Sequence, residues 1–172
     1  AFAAVAGTGA FLSGDGGNSW RLVRRFEGAE YGVGGVEVTG DLWMAINRTD
    51  GGAAQLSVFD IQTENWTELP IPSTSSFAAF AVDPTDPSRV VLADEAVRDE
   101  HLWSSADGGY TWTTHDIEIA SPQIPWLANT DLDGYMSTGR LMFDPAGSTL
   151  WFAEGMAAWQ TTDLSQATVI FT

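Results

Sequence analysis

The phrase SGDGGNSW at residues 13–20 returns as SADGGYTW at 105–112, both reading Ser-x-Asp-x-Gly-x-Ser/Thr-Trp. Two full copies of an eight-residue corner restrict the chain to folds built by repeating one supersecondary unit. A looser copy, SVFDIQTENW at 57–66, sets Asp60 and Trp66 one residue further apart, and a worn one at 161–168, TTDLSQAT, keeps Thr161 and Asp163. The four aspartates, Asp15, Asp60, Asp107 and Asp163, are separated by 45, 47 and 56 residues.

A second phrase also recurs, an apolar run closed by Asp-Pro and followed by another apolar run. It reads FAAFAVDPTDPSRVVLA at 77–93 and GRLMFDPAGSTLWFA at 139–153. Asp-Pro is a turn signal, so each period holds four short strands, with Asp-Pro between the first two and the aspartate corner between the last two. A four-stranded meander of that length is a propeller blade. The expected fold is all-β, a β-propeller of about three and a half four-stranded blades forming a partial ring. Blades are expected near residues 1–27, 28–70, 73–117 and 136–172, with a long connection at 113–138. A propeller closes with ~4 to 8 blades, so the bare sheet edges call for remaining blades from the same parent chain, another chain or a homo-oligomer.

The corner has its own chemistry. An aspartate accepts from the amides of its turn, glycine supplies a positive φ, and the closing tryptophan buries a large ring. Ser13, Asp15, Gly17 and Trp20, with Ser105, Asp107, Gly109 and Trp112, are therefore read as structural staples and not as catalysts.

Seven basic side chains against 23 acidic ones give a formal charge of −16, which repels phosphate backbones and anionic lipid. Neither nucleic acid nor membrane is an expected partner. There is no cysteine, and the two histidines, His101 and His115, lack ligand spacing and read as surface or turn residues. TDLDG at 130–134 lacks the later ligands of a calcium loop, so no metal and no cofactor is expected. The triplets at Asn47 and Asn65 match a glycosylation sequon without deciding anything.

By strand parity the Asp-Pro turns and aspartate corners share one end of their sheets. The opposite end collects residues 48–55 (RTDGGAAQ), 94–101 (DEAVRDEH) and the connection 113–138. Long loops on a rigid scaffold carry binding chemistry. A flat ring beside carboxylates suits a sugar, and Trp126, Tyr135, Asp131 and Asp133 supply that set for substrate binding. Asp50, Asp94, Glu95, Asp99 and Glu100 lie on the same face, but sequence alone does not pair carboxylates into an acid and a base.

The order of these features resembles the Asp-box (BNR-repeat) propellers of the sialidase-like superfamily, most nearly the xyloglucanases of glycoside hydrolase family 74. The similar stretch runs from 34 to 164: DLWMAIN, VFDIQTENWTEL, FAVDPTDPSRVVLA, LWSSADGGYTW, PWL at 125–127 and FDPAGSTLWFAEGMAAWQTTDL. It implies the later blades of an amino-terminal propeller in a secreted, extracellular enzyme that cuts decorated β-glucans. It also implies that the catalytic aspartates, which sit in the opening blades of each propeller, lie outside this chain. RTDGGA at 48–53 is similar to the catalytic phrase RTDVGGAY but one residue short, so no catalytic role passes to Asp50 and the catalytic residues stay unknown. The alternative is a non-catalytic Asp-box propeller that binds glycans or proteins.

Overall fold

A computed structural model describes residues 1–28, 30–50, 52–72, 77–94, 101–120, 138–154, 157–166 and 168–172. Every regular element among them is a strand. The chain divides into two compact units, Ala1–Phe77 and Ala78–Thr172.

The first unit holds two antiparallel meanders. One is β1 (Phe2–Val5), β2 (Gly9–Leu12) and β3 (Arg21–Arg25), and the other is β4 (Glu30–Val38), β5 (Asp41–Arg48), β6 (Gln55–Asp60) and β7 (Asn65–Leu69). Glycine lets the sheets approach. A Cβ on Gly32 would strike the Ala4 methyl, and one on Gly35 would enter the Phe2 ring, so these two positions in β4 are the sockets for β1. Ala10, Phe26, Met44 and Ile46 form the core there, with Phe2, Val23 and Trp66 packed against it. The Trp66 indole donates to the Val23 carbonyl at 2.8 Å, and Arg24 lies over the same ring at 5.5 Å. At the start of β8 (Phe77–Val82), the buried Asn47 amide donates to the Phe77 carbonyl at 2.7 Å and accepts from its N–H at 2.9 Å. Its nitrogen is thereby committed inside the protein, which removes Asn47 as a glycosylation acceptor.

The second unit holds β8, β9 (Val90–Asp94), β10 (His101–Ser105) and β11 (Thr113–Ile119) in one sheet, and β12 (Thr138–Phe143), β13 (Leu150–Glu154) and β14 (Ala157–Thr161) in another. One face of each contributes to a shared core of Ala79, Ala81, Val91, Ala93 and Leu102 against Leu141, Phe143, Leu150, Phe152 and Trp159. The Asp-Pro turns are clasped at one end. Asp83, fully buried, accepts from Thr85 N–H at 2.8 Å and from Arg89 Nη1 at 2.5 Å, and the same Nη1 donates to the Gly147 carbonyl at 2.8 Å. Gly108 N–H donates to the Ser88 carbonyl at 2.8 Å, so in this sheet the aspartate corner and the Asp-Pro turn do meet at one end.

The last strand, β15 (Thr168–Phe171), departs from the four-strand period. It joins β11 in parallel, Asp116 opposite Thr168 through Ile119 opposite Phe171, and touches β14 through the reciprocal backbone bonds of Gln160 and Thr172 at 3.0 and 2.9 Å. The worn corner explains the difference: TTDLSQAT has neither the glycine pair nor the tryptophan that would fold the strand straight back. His115, expected at the surface, is instead buried and anchors this departure. Its Nδ1 lies 2.6 Å from the Gln166 carbonyl and its Nε2 2.7 Å from Ser104 Oγ.

Candidate functional site

The aspartate corners are built as hydrogen-bonded staples. Ser13 Oγ donates to Asp15 Oδ1 at 2.9 Å and accepts from Gly17 N–H at 2.8 Å. Asp15 then accepts from Ser19 N–H at 2.9 Å and Ser19 Oγ at 2.6 Å. The second full corner repeats the pattern through Ser105, Asp107, Gly109 and Thr111, at 2.8, 2.8, 2.9 and 2.6 Å. Gly16 and Gly17 have φ of 74° and 95°, and Gly108 and Gly109 of 76° and 87°, the left-handed region a side chain avoids. Donors converging on the ionised carboxylate, chiefly the Ser19 and Thr111 hydroxyls and amides, lower the pKa of Asp15 and of Asp107 to about 2. The closing tryptophan behaves differently from expectation: Trp20 is 44% exposed, and its indole donates to the Gly17 carbonyl at 3.0 Å. The ring braces the corner from outside.

The two imperfect corners use the same carboxylate chemistry with other donors. Asp60 accepts from Gln62 N–H at 2.7 Å and Thr63 Oγ1 at 2.6 Å, and a non-glycine, Glu64, takes the positive φ of 58°. Asp163 accepts from Ser165 N–H and Oγ at 2.8 and 2.6 Å.

The opposite end of the four-stranded sheet in the first unit carries a charged cluster. Arg48, closing β5, grips Asp50 with Nε at 3.0 Å and Nη2 at 2.7 Å, while Nη1 reaches Glu30 at 3.2 Å. Gly52 N–H adds a bond to Asp50 at 3.0 Å, and Glu30 accepts from Glu27 N–H at 2.8 Å. The Arg48 bonds first, then the Gly52 amide, hold the Asp50 carboxyl down to about 2. A general acid needs its pKa raised toward the working pH, and Asp50 is driven the other way. Beside the cluster, Gln55 and Ser57 accept from Arg24 at 2.7 and 3.1 Å, which fixes the far end of the loop. Sequence reading names Asp50 for this face but misses Glu30, because a single glutamate at a strand start carries no motif.

Trp126, Asp131, Asp133 and Tyr135 lie outside the described residues, as do Glu95, Asp99 and Glu100 and the side chain of Asp94. At the near end of β10 the His101 and Trp103 rings stack at 5.7 Å. Ser104 and His115 have the separation of a nucleophile and its base. A carbonyl only accepts, so His115 Nδ1 carries the proton and Nε2 accepts from Ser104. With His115 1% exposed and tied to Gln166, the pair latches the segment leading into β15. No helix among the described residues is long and apolar enough to cross a membrane.

No family model matches the chain. The xyloglucanase Xgh74A of Acetivibrio thermocellus is 26% identical over 195 residues, covering 87% of this chain and 23% of that protein, so the chain spans about a quarter of the curated relative's length. The crystal structure of the Niastella koreensis GH74 enzyme superposes with a TM-score of 0.76 at 18% identity over 99% of this chain and 28% of the other. YCF48 bound to D1 peptide superposes at 0.59 with 20% identity, over 90% of this chain and 44% of the other. Repeated corners, four-strand periodicity and these likenesses converge: the sheets are β-propeller blades of the kind found in the xyloglucanases of glycoside hydrolase family 74.

Proposed function

We propose that the chain is part of a secreted propeller glycoside hydrolase acting on a β-glucan such as xyloglucan, and that it forms a wall of the substrate cleft without the catalytic pair. The observation that carries this reading is the similarity to the xyloglucanase Xgh74A over 87% of the chain. The state of Asp50 supports the second half of it, since a carboxylate gripped by Arg48 on both oxygens is ill suited to giving up a proton. In this reading the sugar contacts come from Trp126, Asp131, Asp133 and Tyr135 of the connection at 113–138. Aromatic rings there cover the apolar faces of sugar rings, and the acids accept from hydroxyls.

Affinity electrophoresis in gels containing soluble xyloglucan tests the wall. The chain should be retarded, and Trp126→Ala with Tyr135→Ala should abolish the retardation while leaving far-UV circular dichroism unchanged. Free migration of the unmodified chain would contradict the assignment. A second reading, a non-catalytic propeller that binds protein, is favoured by the fold shared with the peptide-bound YCF48. Retention on immobilised peptide with none on glucan would select it.

A further inference from the structure

All seven basic side chains are arginines and lysine is absent, against 23 aspartates and glutamates. Most of the arginines are already committed to particular carboxylates. Arg21 pairs with Glu64, Arg24 with Glu68, Arg48 with both Glu30 and Asp50, and Arg89 with Asp83. Two of these partners, Glu30 and Asp83, are buried, so part of the scarce positive charge is spent inside the protein. Asp15, Glu27, Asp107, Asp116 and Glu118 are exposed, and none has an arginine within ion-pair distance among the described residues.

The repulsion also reaches into the sheets. Asp41 and Asp60 lie directly opposite each other in the ladder between β5 and β6, both partly buried. Like charges so placed destabilise a sheet. Asp60 is held ionised by its own donors, Thr63 and Gln62. Burial first, and then the charge on Asp60, push the Asp41 carboxyl up. Charge spread over a surface serves solubility, whereas a facing pair within a ladder adds nothing to solubility and weakens the sheet. Dissolved ions reduce that cost, because they shorten the range over which the carboxylates feel one another. We infer that this chain is adapted to concentrated salt: dissolved cations stand in for the lysines it lacks, relieve the repulsion among its carboxylates, and thereby set the stability of the fold. The inference rests on charge and strand register and is independent of any carbohydrate.

Unfolding in urea, an uncharged denaturant, tests it. The full chain is titrated at neutral pH in KCl from ~0.1 to ~1 M, which shortens the screening length from ~10 to ~3 Å. Its urea midpoint should rise by at least ~0.5 M. Asp41→Asn should raise the midpoint in low salt and make its dependence on KCl shallower. Asp116→Lys with Glu118→Lys, both at exposed positions of β11, should do the same without touching the facing pair. Sucrose, which strengthens burial without screening charge, should lift the unmodified chain and the variants alike. A midpoint that does not rise with KCl would overturn the inference, and so would variants whose response to KCl matches that of the unmodified chain.

Discussion

At the scale of single residues, ionised carboxylates surrounded by donors carry the turns, and this sets their response to acid. Asp107 has its folded pKa lowered to about 2 by the Thr111 hydroxyl and amide and the Ser105 hydroxyl. Its contribution is therefore complete above the unfolded value near 3.8 and is lost as pH falls through about 2. Carboxyl carbon shifts in an NMR titration should show Asp107 with its midpoint at about 2, and Asp107→Asn should flatten stability against pH below about 4. An ordinary midpoint would show that the staple is not formed. Gly147 tests the clasp between the Asp-Pro turns. Its φ is 69°, and a Cβ there would run into the Asp83 carboxylate. Gly147→Ala should cost ~1 to 3 kcal/mol in urea denaturation, the sum of left-handed backbone strain and displacement of the buried Asp83 carboxylate from its half-exposed partner Arg89. Little of this last contact was legible in the sequence, since nothing in DPAG announces that its glycine faces an aspartate 64 positions away.

At the scale of strands and sheets, legibility followed the strength of the turn signal. The two complete corners and both Asp-Pro turns mark strand ends in sequence because glycine, aspartate and proline each impose a backbone conformation. The worn corner at 161–168 keeps only Asp163 of these, and there tertiary contacts take over: β15 leaves its own sheet and lies along β11, with His115 holding the segment that leads into it. His115→Phe keeps a planar ring and removes both bonds, so hydrogen exchange should quicken at 168–171 and in the facing half of β11. Unchanged protection would show that β15 is held by its ladder alone. Trp66 gives a second test. Trp66→Phe loses the indole bond to the Val23 carbonyl and should cost about 1 kcal/mol, with Trp66→Ala costing ~2 to 4 as the packing over β3 is lost too.

At the scale of the molecule, the repeat period foretold a propeller, while the site was only partly readable. Composition, through a charge of −16, sets an expectation against polyanionic partners, and strand parity an expectation that the loops gather at one end of their sheets. Which carboxylates meet was not readable, because that depends on side chains brought together from separate strands, as Glu30 and Asp50 are by Arg48. The central functional claim is a propeller wall that holds glucan and does not cut it. Reducing-end release from soluble xyloglucan, measured with the chain alone at saturating polymer, tests that claim most directly. No new ends above the heat-treated control are expected, whereas steady release that disappears in Asp50→Asn would place a catalytic carboxylate where the geometry denies one.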